Sequence, residues 1–375
     1  MARLIKTEKE VEGRFTEQWI VVEEDVLDPW QAGPLETVGR PAERVDARAR
    51  ARGEVQFTAD VQLPGMLHAA VLRSPHARAR LVAINLDAAR SLPGVRGVIG
   101  PGDLELLTAE PNYHGQPVAA VAADSFREAR DALAALAPQW ERLEPLLDPE
   151  EAVRRGSLIG EARRYARGDV SQGLAQADVV VEAEYRTQSV LHNALETHQS
   201  VCVWEDARLT VYTSTQFIWG VRDDVAKAFS LPRDDVRVVC RYVGGGFGAK
   251  NEAGDYTLIA AELARTTGLP VRCALTRREE NLDSGNRNPT IQRLAVGARA
   301  DGTLTALKGE YVCALGWDGW LPSVAGPMKM LYACDSVETT EYGAKLNTAP
   351  MAAFRAPGFV EGVFGLECLL DELAV

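Results

Sequence analysis

The sequence predicts an α+β protein, with short strands and amphipathic helices in irregular order, and three stretches carry that expectation. The apolar run VAAVAA (118–123) fits a buried strand, and a helical pattern follows it until Pro138. VCVWE (201–205) and LTVYTST (209–215), split by Asp206-Ala207-Arg208, read as a hairpin. Then the β-branched run Val236–Val243 meets four glycines within five positions, Gly244, Gly245, Gly246 and Gly248, and a helical pattern begins a few residues later.

Taken in order, residues 1–35 are charged and weakly periodic, an extension or an arm on a partner. Residues 36–148 read as a small α+β unit. Gln62–Gly65 is a turn before the strand-like LHAAVLRS (67–74), Val82, Ile84 and Leu86 alternate, and SLPGVRGVIG (91–100) is a turn and a strand. Asp87 suits the cap of a short helix over 88–92, and Asp124 the cap of the helix that puts Phe126, Ala129, Leu133, Leu136 and Ala137 on one face. The charge-rich stretch over 149–175 reads as a linker.

Residues 176–375 form the second domain, opening with the strand VVVEAEYRT (179–187). Val221, Val225 and Phe229 mark a short helix. After the glycine loop, Tyr256, Ile259, Ala260, Leu263 and Ala264 share a helical face that stops at Gly268. VRCALT (271–276) resumes a strand, 281–290 reads as a polar loop, and 294–315 is a hairpin with Asp301-Gly302 at its tip. Val363, Leu366, Leu370 and Leu373 recur at helical spacing at the end of the chain. That apolar helix needs something to pack against, so either another polypeptide is expected to complete the domain or the chain is a fragment of a longer one.

A net charge of −12 over 375 residues argues against a nucleic-acid or anionic-membrane surface. No apolar stretch reaches spanning length, and the N-terminus lacks a signal-type apolar segment, so a cytoplasmic location is expected. The six cysteines are scattered, none in C-x-x-C spacing, which argues against an iron–sulfur or zinc-ribbon site in this chain.

The glycine cluster has three readings. A dinucleotide site would want an acidic residue at the end of the next strand, where Thr276-Arg277-Arg278 stand instead. A phosphate-binding P-loop would want Gly-Lys-Ser/Thr, and the chain has Ala249-Lys250-Asn251. The third reading is a loop that brings main-chain N–H groups against an anion or a metal-bound oxygen. AFRAPG (353–358) complements it, since an arginine fixed beside Phe, Pro and Gly presents guanidinium or backbone donors. Gln216, at the end of LTVYTST, has an amide able to reach the same site. His192, Glu196 and His198 would share a face if their segment were extended, as a metal site or as polar packing.

Five segments in this order, 38–81, LHNALETH (191–198), YTSTQ (212–216), YVGGGFGAK (242–250) and AFRAPGFVEG (353–362), resemble the molybdopterin-binding large subunit of the molybdenum hydroxylase family. That family includes xanthine dehydrogenase, aldehyde oxidoreductases and carbon monoxide dehydrogenase large subunits. The resemblance implies an α/β hammerhead domain followed by the first part of a molybdopterin-binding domain of mixed sheets and helices. It implies a molybdopterin-type molybdenum cofactor with oxo or hydroxo and sulfido-type ligands. No side chain of this chain would ligate the metal directly. Oxygen from water would be inserted at an electron-poor carbon of an aromatic N-heterocycle or an aldehyde. Gln216, Gly245, Gly246, Phe247, Gly248, Phe354, Arg355 and Ala356 would bind the cofactor, with Gln216, Phe247 and Arg355 nearest the chemistry.

Two departures stand out. Asn251 takes the place of a substrate-facing glutamate of the purine enzymes, with Glu252 next, so both are candidates for the substrate pocket. The family's catalytic glutamate lies further along a much longer subunit. The resemblance therefore implies a second molybdopterin-binding chain with that glutamate, an iron–sulfur subunit with [2Fe–2S] clusters and possibly an FAD subunit. A non-catalytic scaffold subunit and a dinucleotide-binding dehydrogenase are the alternatives.

Overall fold

The structure, a computed structural model, describes residues 2–11, 14–23 and 37–375. The chain divides into Met1–Val55 and Gln56–Val375. In the first unit, β1 (Ala2–Val11) and β2 (Arg14–Glu23) pair antiparallel, and α1 (Ala47–Ala51) is a single short helix. The expected extension over 1–35 is thus an antiparallel strand pair as far as it is described, and its residues 1, 12, 13 and 24–35 lie outside the described residues.

The second unit is built on two large sheets and one small two-stranded sheet. Its first part contains β3 (Leu67–Arg73), β4 (Ala79–Ala83), α2 (Leu86–Arg90), β5 (Val95–Ile99), β6 (Pro117–Ala123), α3 (Phe126–Ala135) and β7 (Gln139–Arg142). Next come α4 (Pro149–Arg154), β8 (Arg163–Arg167), α5 (Val170–Ala175), β9 (Val179–Thr187), β10 (Gln199–Glu205), β11 (Arg208–Thr213) and α6 (Ile218–Ala228). The rest is β12 (Val236–Val239), α7 (Asp255–Thr267), β13 (Val271–Ala274), α8 (Arg277–Asp283), β14 (Thr290–Ala298), β15 (Leu304–Gly316), α9 (Gly326–Met330), β16 (Val337–Lys345) and α10 (Phe359–Leu373).

The larger sheet has the order β12-β11-β10-β13-β3-β6-β5. Its joint is the parallel pairing of β13 with β3, Val271 opposite Leu67 and Cys273 opposite Ala69, so one sheet runs through both regions that the sequence divides at 149–175. Strand β6 is buried along its whole length because both its faces are covered. Ala120 and Ala122 belong to the core that α7 fills with Ile259, Ala260, Leu263 and Ala264, while Ala119 and Val121 meet Ala89, Ala132 and Leu136 of α2 and α3. The second sheet, β8-β16-β15-β14-β9, packs Leu294, Leu307 and Leu315 against Leu366 and Leu369 of α10 and Met328 of α9. Among the described residues no helix is long and apolar enough to cross a membrane.

The α+β expectation holds, with local corrections. The stretch expected as a linker contains α4, β8 and α5, capped by Asp148 and Asp169, and β8 pairs with β16. Helix α3 is capped by Ser125, whose hydroxyl accepts from the Glu128 N–H at 3.2 Å. Asp124 is drawn away by Arg96 on β5, which donates to both its oxygens at 2.8 and 2.9 Å. Asn85 caps α2, leaving Asp87 inside its first turn. The start of the polar loop expected at 281–290, as far as Asp283, is taken by α8, because Thr276 and Glu279 form a reciprocal cap that starts a helix at Arg277. The strand expected over 236–243 ends at Val239, where the partner strand β11 turns away.

Candidate functional site

Strands β11 and β12 are parallel neighbours with Tyr212 opposite Val239, so their C-terminal ends leave the sheet on the same side. Ser214-Thr215-Gln216 follow the first and the glycine loop follows the second, which places them together. A buried cation anchors the loop. The Lys250 ammonium, fully enclosed, donates to Glu196 O at 2.7 Å and Ser214 Oγ at 2.8 Å, with Glu196 Oε2 at 3.7 Å. Glu196 Oε2 also accepts from the Gly244 N–H and the Ser214 hydroxyl, each at 2.7 Å. Burial pulls the Lys250 pKa below its ordinary value, against the opposing charges of Glu196 and Glu280.

Above this anchor, the Gly248 N–H donates to Gln216 Oε1 at 2.8 Å. With its oxygen committed inward, the exposed Gln216 amide offers its NH2 group outward. A Cβ on Gly246 would stand 2.4 Å from that oxygen, so a side chain there would expel the amide. Phe247 is held at φ +55° between Gly245 at +102° and Gly248 at +111°. Left-handed backbone at a bulky residue persists only where the surroundings enforce it.

The arginine loop supplies those surroundings. The Arg355 N–H donates to Phe247 O at 2.8 Å, and a Cβ on Gly248 would lie 2.4 Å from Ala353 O. Arg287, nearly enclosed, holds the loop from behind. It donates to Phe354 O and Arg355 O at 2.7 and 2.8 Å and to Glu361 Oε2 at 2.7 Å. His192 stacks on Phe354 with ring centres 4.3 Å apart.

The structure thus brings Gln216, Gly245, Gly246, Phe247, Gly248, Phe354, Arg355 and Ala356 into one surface. Asn251 and Glu252 continue from Lys250, whose carbonyl accepts from the Gln216 N–H at 2.8 Å. Asn251 is half-buried with its carbonyl against Gly220, and Glu252 is exposed. His192, Glu196 and His198 do not converge. His198 bonds Glu280 Oε1 at 2.8 Å, Glu196 serves Lys250, and His192 reaches Ala353 O. Among the described residues no three His, Cys, Asp or Glu side chains form a metal-binding group.

The surface is rich in donors. Among the described residues, the N–H groups of Gly245, Gly246, Phe247, Phe354 and Ala356 donate to no protein acceptor, and the exposed Arg355 guanidinium has no bonded partner. Such a set suits a group that presents anionic oxygens. Sequence reasoning missed Lys250, Glu196, Arg287 and Glu361 as the supports. The one available signal was the lysine placed two residues after the glycine cluster.

Residues 154–375 match the family described as "Molybdopterin cofactor-binding domain", and residues 52–144 match "Aldehyde oxidase and xanthine dehydrogenase, a/b hammerhead domain". The chain is 32% identical over 363 residues to the aldehyde oxidoreductase molybdenum-binding subunit PaoC of Escherichia coli K12, covering 91% of this chain and 48% of that subunit. It is 29% identical over 361 residues to xanthine dehydrogenase/oxidase of Gallus gallus, covering 90% of this chain and 27% of that protein. The crystal structure of quinoline 2-oxidoreductase from Pseudomonas putida 86 superposes with a TM-score of 0.83 at 27% identity, covering 89% of this chain and 48% of that one. This chain therefore spans about half the length of the PaoC subunit.

Proposed function

Because the chain belongs to the molybdenum hydroxylase family, we propose that it forms one side of a molybdopterin-type cofactor site in an enzyme that hydroxylates or dehydrogenates small molecules. The substrate class in this reading is an aromatic N-heterocycle or an aldehyde, with water as the oxygen source. The single observation that carries it is the joining of the glycine and arginine loops through the Arg355 N–H and Phe247 O, at 2.8 Å, into one donor surface. When bound, a molybdenum pterin cofactor would supply the two-electron redox chemistry, and the protein positions and polarises.

Each residue has a task in this reading. Gln216 donates its amide N–H to an oxygen of the group. The backbone of Gly245, Gly246, Phe247 and Gly248 lines one side, Gly248 also fixing the Gln216 amide. Phe354, Arg355 and Ala356 line the other side, where the guanidinium offsets negative charge. Asn251 and Glu252 belong to the substrate side of the same pocket. Asn251 offers an amide able to meet a ring nitrogen or carbonyl. Further polypeptide carries the proton-accepting glutamate, the [2Fe–2S] clusters and any FAD, and a cytoplasmic location is part of the same proposal.

The test compares the native assembly with an Arg355→Ala form. Expected is about one molybdenum and one pterin per assembly, falling several-fold in the variant while the thermal unfolding midpoint stays unchanged. Metal-free native material would point to a scaffold subunit instead. A variant with full molybdenum content and turnover would remove Arg355 from the site.

A further inference from the structure

Four consecutive carbonyl oxygens of the arginine loop are tied back to two side chains. His192 Nε2 lies 2.8 Å from Ala353 O. A carbonyl only accepts, so Nε2 carries the proton, and burial lowers the His192 pKa, favouring the neutral ring. Arg287 takes the next three. Its Nη2 donates to Phe354 O at 2.7 Å and Arg355 O at 2.8 Å, and its Nη1 reaches Ala356 O at 3.4 Å. Both side chains also pack on the Phe354 ring, with the guanidinium carbon 4.7 Å from its centre.

The guanidinium is itself fixed. Nη1 donates to Glu361 Oε2 at 2.7 Å, in the first turn of α10, and Gln292 on β14 donates to Glu361 O at 2.8 Å. The bridge between Val190 and Arg287 holds its backbone. Arg287 therefore joins α10 to the loop that faces the site, and Gln292 of β14 braces α10 at the same residue.

The consequence follows from peptide geometry. A trans peptide points its C=O and N–H in opposite directions, and the described chain has no cis bond. Drawing the carbonyls of Ala353 and Arg355 backward sends the N–H groups of Phe354 and Ala356 forward. Ala356 itself sits at φ +58°. We propose that Arg287 is the positioning residue of this site, turning the 353–356 peptide units so that their free N–H groups meet the anionic oxygens of the bound group. It rests on the proposed function for the identity of that group, while the shape of the loop is testable without it. A lysine would not substitute, since one ammonium lacks the planar fork that spans adjacent carbonyls and a carboxylate.

The experiment uses the full native assembly and three forms: Arg287→Ala, Arg287→Lys, and Arg287→Met combined with Glu361→Gln. The double variant leaves no lone buried carboxylate, so it reports on the loop if the single variant fails to fold. The readouts are hydrogen exchange of the Arg355 amide, bonded to Phe247 O only while the loop keeps its shape, and bound molybdenum and pterin. Exchange is expected to speed up on the order of tenfold in Arg287→Ala and in the double variant. Millimolar guanidinium should restore protection and cofactor content to Arg287→Ala, whereas Arg287→Lys should stay unprotected. Wild-type protection in both Arg287→Ala and the double variant overturns the inference. Faster exchange with a wild-type assembly that holds no molybdenum leaves Arg287 as the loop's clamp and overturns the reading of what the loop faces.

Discussion

Lys250→Met is expected to destabilise the protein by about 3 kcal/mol, the low end of the range for stripping one partner from a buried ion pair. Its ammonium is fully enclosed, and its two short contacts, with Glu196 O and Ser214 Oγ, tie the glycine loop to the two segments beside it. Without it Glu196 stays buried as a carboxylate, supported only by the Gly244 N–H, the Ser214 hydroxyl and a long contact from Gln199. Adding Glu196→Gln should return part of the loss, since the lone charge is then gone. Urea unfolding of the two variants measures both effects, and a single-variant loss below about 0.5 kcal/mol would place Lys250 outside the supporting structure.

The same residue sets a pH dependence with a definite sign. Burial lowers its folded-state pKa from 10.5, so between that depressed value and 10.5 the unfolded chain holds the proton more tightly than the folded one. Stability from this group therefore rises with pH through that window and is lost as pH falls through the folded-state pKa. Lys250→Met should flatten that slope.

Gly248→Ala should separate the two loops and strip the site of its cofactor, with bound molybdenum reduced about tenfold or more. Two costs combine there. The backbone sits at φ +111°, and the new Cβ would meet Ala353 O at 2.4 Å with the Phe354 nitrogen close behind. Gly302, at φ +86° with nothing within 4 Å, serves as the control. Gly302→Ala should cost about 1 kcal/mol through conformation alone and leave molybdenum unchanged. Equal molybdenum content in the two variants would mean that contact between the loops does not matter to the site.

The fold was legible where a local pattern determines the element. The run 118–123 is apolar throughout because α7 covers one face of β6 and α2 and α3 the other. The helix ending at Gly268 needs that residue at φ +68°. Pairings between distant segments leave no such mark. Nothing in Val271–Ala274 indicates that it lies parallel to Leu67–Arg73, so the sequence divides a sheet that the structure keeps whole. Asp124 and Ser125 are both able to cap α3, and Arg96 on a neighbouring strand decides between them.

The candidate site divides in the same way. Gly244–Gly248, Gln216 and AFRAPG were visible because unusual backbone demands unusual residues. Their supports were not. Arg287 sits in a stretch that reads as polar loop, and polarity looks the same whether the partner is water or a buried Glu361. Glu196 likewise appeared as a metal-ligand candidate, since the pattern of its segment does not reveal that Lys250 approaches from another loop.

The central claim is that the glycine and arginine loops form one donor surface against a pterin-bound molybdenum. Crystals of the native assembly, with anomalous scattering recorded at the molybdenum edge, test it most directly. One molybdenum peak beside Phe247 is expected, with the Gln216 amide nitrogen and the free N–H groups of Phe354 and Ala356 turned toward its ligands. A molybdenum peak remote from both loops, or the two loops parted with no metal between them, would contradict it.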